Sequence, residues 1–358
     1  MLPALKINSG KTLLISGPAS AILVEGRATV LGAPVESGRR IVVAEGKQVP
    51  IFISEDSVFD CSFGEYASHV EVNGNTVPFS WREAADAILK LDGPKTIVIG
   101  DIDTGKSTFC TYLANLTIAS GMDIWVLDAD IGQSDLGPPT TISLGLANEY
   151  LTNLSSIKAD RRFFVGYTSP SSVTEKVIFG IRKLASYASP APLVINTDGW
   201  VADDQAASYK VKMINELAPD IVVGIERVHE IDAILDSVNA MSIRIQPPDF
   251  VKPRSRDQRK RIRENSYRRF LTDAKIITLP VDVVKTASGA HLQRQENLIV
   301  GLLNRDGFLL SIGMLKEIDS KRRSAKIYSP EVTELASVEI GAVRISESGK
   351  EIAELEIY

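Results

Sequence analysis

Residues 13–79 set out short β-branched and apolar runs punctuated by Gly, Pro and Asn: "AILVEGRATVLGAPV", "RRIVVAEGKQVPIFI" and "ASHVEVNGNTVPF". Runs at this spacing predict several short strands, and residues 1–80 are assigned to a small N-terminal β domain. "SWREAADAILKL" then has a helical pattern with Ser80 as N-cap, and "DGPK" breaks the chain before the next run. From residue 95 to about 280 the rhythm changes to nearly continuous apolar runs separated by helix-length segments: "TIVIG", "DIWVLDAD", "RRFFVGY", "APLVINTDG", "PDIVVGIE" and "AKIITLPV". Strands buried on both faces read this way, so residues 81–290 are expected to form an α/β core with a mainly parallel sheet and crossover helices. Alternation returns in "NLIVGLLNRDGFLLSIGMLKEID", "SAKIYSP" and "SVEIGAVRISESGKEIAELEIY", which predicts a C-terminal β domain over 291–358. Neither an internal repeat nor a low-complexity tract interrupts this order.

Composition narrows the function classes. With 358 residues, 44% hydrophobic and 24% charged, most of the chain should fold, as more than one domain. No run approaches the roughly 18 apolar residues of a membrane span, and "MLPALKINSG" lacks a signal-peptide pattern. A soluble, cytoplasmic protein without a membrane partner is expected, nuclear if eukaryotic. Cys61 and Cys110 are too few for a disulfide framework, and His69, His229 and His291 are scattered, so a zinc site or a histidine triad is not expected. Net charge is −5, yet Lys252 to Arg269 holds nine Lys/Arg against two Asp/Glu, a local balance of +7. Positive charge is therefore concentrated in one segment.

Gly100, Gly105, Lys106 and Ser107 fit G-x-x-x-x-G-K-[ST], after an apolar strand and at the start of the helical "KSTFCTYLANLTIAS". In such a loop the glycines let backbone N–H groups close around phosphate oxygens, the Lys reaches the β and γ phosphates, and the hydroxyl serves Mg²⁺. The nucleotide-binding segment is thus Gly100, Asp101, Ile102, Asp103, Thr104, Gly105, Lys106, Ser107 and Thr108; the alternative is a Gly-rich turn. Asp101 and Asp103 place negative charge where a triphosphate would lie. Each carboxylate ~8 Å from a phosphate charge costs about 2 kcal/mol at an effective dielectric near 20, so compensation is required.

Asp128 and Asp130, two apart at the end of a buried strand, could hold Mg²⁺ and orient or deprotonate an attacking hydroxyl; the alternative is that they cap the next turn. In "KPRSRDQRKRIRENSYRRFL", Arg259, Arg263 and Tyr267 recur at helical spacing as one stripe that could close over a triphosphate. A solvated basic helix, or one gripping a nucleic-acid backbone, is the alternative.

"GDIDTGKST", "DADIGQSDLGPPTTISLG", "GYTSPSS", "VINTDGWV" and the spaced arginines, in this order, resemble the polynucleotide 5′-hydroxyl kinase family, which includes messenger-RNA 3′-processing and ribosomal-RNA-processing RNA kinases. The likeness spans nearly the whole chain, and the compact length looks most like an archaeal member. It implies that Lys106, Ser107 and Thr108 bind ATP and Mg²⁺, and that Asp130 with Gln133 serves the metal and the 5′-hydroxyl. It further implies that Arg254, Arg259 and Arg263 form a lid, that Thr168, Ser169 and Pro170 clasp the substrate end, and that Trp200 stacks on a terminal base. Asp101 stands where the family commonly has Pro, and Asp198 where Cys is frequent.

The implied activity is Mg²⁺-dependent transfer of the ATP γ-phosphoryl group to the 5′-hydroxyl of RNA, with DNA as a second acceptor and RNA-processing proteins as partners. Lys106, Asp130, Arg259 and Arg263 would be catalytic, and Ser107, Asp128 and Asp130 would serve the metal. Two rivals stay open: a catalytically silent ATP-binding scaffold of an RNA-processing complex, and a nucleotide-driven switch ATPase.

Overall fold

The computed structural model describes residues 4–188, 190–251, 253–285 and 296–355. Lys252, His291 and the domain boundary expected at 290/291 lie outside the described residues. The chain folds as two compact units: one runs to Val126 and adds Leu146–Lys158 and Ala188–Gln258, and the other comprises Leu127–Gly145, Ala159–Tyr187 and the chain from Arg259 onward.

The first unit opens with an antiparallel sheet built from β1 (Leu5–Ile7), β2 (Lys11–Ser16), β3 (Ala19–Val30), β4 (Ala33–Pro34), β5 (Arg40–Val43), β6 (Gln48–Phe63) and β7 (Ser68–Asn73). The strand order is β4-β3-β6-β2-β7, with β1 on β6 and β5 on β3. Val49, Ile51 and Ile53 alternate inward along β6, and Phe59 resumes the pattern beyond the exposed Ser54, Glu55 and Asp56. That interruption matches slips in the β3–β6 register around Glu25 and Arg27. Gly26 (φ 93°) makes the slip possible, because a Cβ there would lie 2.2 Å from the Asp56 carbonyl.

Helix α1 (Phe79–Ile88) starts from Pro78, not from Ser80 as the sequence suggested. Ser80 sits inside the first turn, where its Oγ accepts from the Gln246 N–H, and the adjacent Trp81 donates Nε1–H to the Gln246 carbonyl at 2.8 Å. Trp81 is fully buried, edge-on to Phe109 and beside Tyr112 of α2 (Lys106–Ala119). The same unit holds β8 (Lys95–Gly100), β12 (Leu193–Thr197), β13 (Ile221–Ile225) and β14 (Met241–Ile245), with α4 (Asp204–Leu217) and the short α5 (Asp232–Leu235). β12, β8, β13 and β14 pair in that order, all parallel.

The chain passes into the second unit within β9 (Ile124–Ala129). There β10 (Thr141–Ala147) pairs antiparallel with β11 (Arg161–Phe164), so the core strands are mixed, where the sequence suggested crossover connections throughout. "RRFFVGY" is the antiparallel partner of a strand the apolar-run reading passed over. The link between them carries one 3₁₀ turn, Leu154–Ser156, and no crossover helix. Helix α3 (Thr174–Ala185) follows, then α6 (Arg256–Phe270).

The C-terminal sheet contains β15 (Lys275–Pro280), β16 (Val284–Lys285), β17 (Leu298–Leu303), β18 (Leu309–Asp319), β19 (Ser324–Ser329), β20 (Ser337–Ile345) and β21 (Glu351–Glu354). Its order is β15-β19-β18-β17-β20-β16, with β21 on β20. "AKIITLPV" therefore joins this sheet antiparallel to β19 and is no core strand; Ile277 and Leu279 pack on the sheet's hydrophobic cluster while Ile276 is exposed. Tyr267 and Leu271 are buried with Phe164, Ile299, Met314 and Val343, which anchors the end of α6 on this domain. Among the described residues no helix is long and apolar enough to cross a membrane.

Candidate functional site

The first unit holds the phosphate loop. β8 delivers Gly100 at φ 153°, and a Cβ there would lie 2.4 Å from the Ile225 carbonyl of the neighbouring strand. Gly105 takes the left-handed conformation (φ 98°) as N-cap of α2, against the Trp81 ring. Its N-cap, Gly105, brings no side chain to cap the helix, and among the described residues no side-chain cap is made, so the first N–H groups can serve an anion, the arrangement a polyphosphate uses. Lys106 is buried and donates to the carbonyls of Gly100 and Asp101 at 2.9 and 2.7 Å. Asn196 donates Nδ2–H to Ser107 Oγ at 3.2 Å, which orients that hydroxyl. These donors and the glycine cradle fit the triphosphate of ATP.

The two troublesome carboxylates have separate fates. Asp101 Oδ1 accepts from the N–H of Ile102 at 2.6 Å, and its carbonyl takes Thr104 Oγ1–H. Asp103, at φ 55°, is gripped by Arg254: Oδ1 accepts from Nη2 at 2.6 Å and from Nε at 2.8 Å, and Oδ2 from the Arg254 N–H at 2.9 Å. Arg254 thus precedes the helical stripe and serves the loop itself, supplying the compensation that the sequence demanded.

Trp200 follows β12. Its indole stacks on Tyr209 (5.8 Å, 27°) and donates Nε1–H to Asp203, which also caps α4 by accepting from the Ala206 N–H. The Ala206 N–H and the indole N–H together hold the Asp203 carboxyl below its ordinary pKa. Asp198 is buried under this turn, accepting from Trp200 N–H and Tyr209 O–H and pairing with Lys210 Nζ at 2.9 Å. Lys210 is wholly buried and also donates to the Asp198 carbonyl. The carboxylate that departs from the family pattern therefore comes with its own cation, twelve positions along the chain, a relation that no local sequence signal marks.

The second unit gathers the remaining candidates. Asp128 is fully buried, and its Oδ2 accepts from Ser134 Oγ–H and from the N–H groups of Asp135 and Leu136. This is the turn-capping arrangement, so Asp128 shapes the loop. Asp130 Oδ1 accepts from the N–H groups of Gly132 and Gln133 at 3.1 and 2.9 Å. Gln133 donates Nε2–H to the carbonyls of Gly132 and Arg259, and its Oε1 is buried with no donor among the described residues. An orphaned acceptor beside a fixed carboxylate suits a hydroxyl-bearing ligand.

Pro170 is buried, Ser169 shares a hydrogen bond with Ser171, and Thr168 donates both N–H and Oγ1–H to Glu354 at 2.8 and 2.5 Å. Arg263 pairs with Glu351, Nε to Oε2 at 2.6 Å and Nη2 to Oε1 at 2.8 Å. Burial alone would lower the Arg263 pKa, and the Glu351 pair outweighs it, so the group is raised. Tyr267 is buried in the C-terminal core, so the expected stripe of Arg259, Arg263 and Tyr267 is corrected to the two arginines. Sequence reasoning missed Lys210, Glu351 and Glu354.

Residues 100–273 match the family model described as the mRNA cleavage and polyadenylation factor CLP1 P-loop. A polyribonucleotide 5′-hydroxyl-kinase of Pyrococcus abyssi is 25% identical over 350 residues, covering 81% of this chain and 99% of the relative. One of Methanocaldococcus jannaschii is 26% identical over 346 residues, covering 78% and 95%. The solved structure of wild-type Clp1p in complex with Pcf11p superposes with a TM-score of 0.74 over 96% of this chain and 97% of that one, at 13% identity, a likeness of fold. The phosphate loop and the D-x-G-Q turn thus lie in a chain that is similar, over about four fifths of its length, to archaeal polyribonucleotide 5′-hydroxyl-kinases, with a P-loop segment that matches the CLP1 model.

Proposed function

We propose that this protein transfers the γ-phosphoryl group of ATP to the 5′-hydroxyl of a polyribonucleotide, with DNA ends as a second acceptor. The observation that carries the reading is the uncapped start of α2 with Lys106 beside it, in a chain similar over most of its length to RNA 5′-kinases. In the reaction the O5′–P bond forms, the bond from the γ-phosphorus to the β,γ-bridging oxygen breaks, and ADP leaves. Lys106 turns from the loop carbonyls to phosphate oxygens, which are likewise hydrogen-bond acceptors. Asp130, its Oδ1 fixed by two N–H groups, takes the hydroxyl proton. Arg259 and Arg263 stabilise charge on the transferring group. Mg²⁺ entering with ATP would neutralise phosphate charge, and the Ser107 hydroxyl, oriented by Asn196, would serve it. Trp200, backed by Tyr209 on one face, offers the other to the terminal base.

A scaffold has no need of this full set of groups, and the full-length relatives carry kinase names, so the kinase reading is preferred. A protein partner in RNA processing is also proposed, since the solved neighbour is a complex with Pcf11p.

Transfer of label from γ-labelled ATP to a short 5′-hydroxyl RNA, with 5′-phosphorylated RNA as control and free phosphate counted in parallel, tests the reading. Label on the hydroxyl RNA alone is expected. ATP binding without labelled RNA would overturn it in favour of the scaffold, and phosphate release regardless of RNA would point to the switch ATPase.

A further inference from the structure

The C-terminal β domain has no role in the reading above, yet its strand β21 touches Arg263, which that reading uses, and Thr168, which the family resemblance assigns to the clasp on the substrate end. Glu351 and Glu354 are both on β21. Glu351 meets Arg263 edge-on, the two side chains 13% and 16% exposed, and Glu354 takes both donors of Thr168. We infer that β21 is a positioning element of the transfer site, in which Glu351 aims the Arg263 guanidinium and Glu354 fixes the clasp at Thr168. The inference rests on the kinase reading of Arg263 and Thr168.

The geometry gives each carboxylate a defined task. Glu351 occupies the Nε–Nη2 edge of the guanidinium, and this two-point contact fixes the plane of the group while leaving the donors of Nη1 to an incoming phosphate oxygen. The Glu351 N–H donates in turn to Glu264 Oε1 on α6. Just before β21, Arg268 Nε donates to the Ser348 carbonyl, and Gly349 (φ 77°) lies so close to α6 that a Cβ would sit 2.7 Å from the Arg268 nitrogen. The strand is thereby docked along the arginine helix by backbone as well as by charge.

Thr168 has no donor left once Glu354 has taken its N–H and Oγ1–H, so it is a held residue and not itself the donor to a substrate. Its carbonyl backs onto Gly132, where a Cβ would lie 2.7 Å away, so fixing Thr168 also buttresses the turn that carries Asp130 and Gln133. Residues three apart on an unbroken strand point to opposite faces. The β20–β21 register slips between Arg344 and Ile345, pairing Ala353 with one and Glu351 with the other, so Ile352 is an extra residue. That bulge changes the strand's phase between the two glutamates and allows one short strand to serve both partners.

The test uses the full chain with Glu351→Gln, Glu351→Asp and Glu354→Gln, and compares kcat, KM for ATP, KM for 5′-hydroxyl RNA and thermal midpoint. Glu351→Gln is expected to lower kcat/KM for ATP at least ten-fold with KM for RNA within two-fold, and Glu351→Asp to recover part of the loss because the charge is kept. Glu354→Gln is expected to raise KM for RNA at least five-fold with KM for ATP unchanged. Lys316→Ala, which breaks a surface pair with Glu347 in the same domain, should leave all of these unchanged. Kinetic constants within two-fold of the parent, or both variants losing ATP and RNA parameters together in step with the thermal midpoint, would overturn the inference. If the parent itself labels no RNA, the functional reading fails separately. Titrations of ATP and of 5′-hydroxyl RNA onto the same variants then decide the inference: split losses support it, and equal or absent losses overturn it.

Discussion

Replacing Arg254 by alanine should weaken ATP binding through Asp103, not through a lost phosphate contact. The Asp103 side chain is 8% exposed, and Arg254 supplies three of its donors, two of them from the guanidinium. Without that group the Asp103 carboxylate loses its guanidinium counter-charge at the third position before Lys106, in the loop that must receive a polyphosphate. At ~8 Å from a phosphate charge and an effective dielectric near 20, the repulsion is about 2 kcal/mol. That corresponds to roughly a 30-fold weaker Kd. Folding should suffer too, by about 3 kcal/mol, the lower end for stranding one member of a buried pair because Arg254 keeps some solvent contact.

The double variant Arg254→Ala with Asp103→Asn separates the two explanations. With the carboxylate removed as well, affinity should return to within about three-fold of the parent, since the ~2 kcal/mol repulsion is gone. Isothermal titration of ATP onto the parent, both single variants and the double variant gives the cycle directly. If the double variant binds ATP as poorly as Arg254→Ala alone, Arg254 acts on the nucleotide itself and the compensation argument is wrong.

Three further outcomes follow from named contacts. Lys210→Met leaves Asp198 charged and buried, so unfolding free energy should fall by about 3–5 kcal/mol in denaturant melts, and adding Asp198→Asn should recover most of it. Trp200→Ala should raise KM for 5′-hydroxyl RNA by roughly 10- to 100-fold, the worth of one stacked base at ~1–3 kcal/mol, with KM for ATP unchanged in steady-state kinetics. Burial, helped by Asp60, pushes the Cys61 thiol from its ordinary 9.0 to about 11. A thiol whose pKa is raised on folding contributes stability that is fully present below pH 9 and lost as pH climbs toward 11, so melts across that window should show a decline that Cys61→Ser reduces.

What the sequence made legible was chemistry compressed into a few neighbouring residues. Gly100, Gly105 and Lys106 are spaced by the backbone path of a phosphate loop, and their glycines are demanded by contacts a Cβ could not survive. The strands went wrong where polarity masked burial. β10 hides because Thr141 and Ser143 are buried polar residues, and the Thr141 hydroxyl is satisfied locally by the Pro138 carbonyl. Conversely, "AKIITLPV" looks like a buried core run, yet it forms the outer strand of the C-terminal sheet, where alternate side chains reach solvent. Tyr267 shares the helical spacing of Arg259 and Arg263, but periodicity cannot tell a side chain that faces a ligand from one that plugs a core.

The pairs that decide how the charged groups behave were the least legible, for one physical reason. Arg254 meets Asp103 across 151 positions and Glu351 meets Arg263 across 88, and neither separation has a local period to announce it. In the first pair the departure from neutrality was visible in the sequence, as a carboxylate where an anion must bind, and only its partner was hidden. Asp198 shows the same physics in the fold, where its buried carboxylate is paired with the buried Lys210. A charge in an expensive place is thus a readable demand for a partner even when the partner cannot be read. Glu351 and Glu354 made no such demand, because nothing in the sequence sets them beside phosphate-handling groups, and the folded β21 alone shows what they answer.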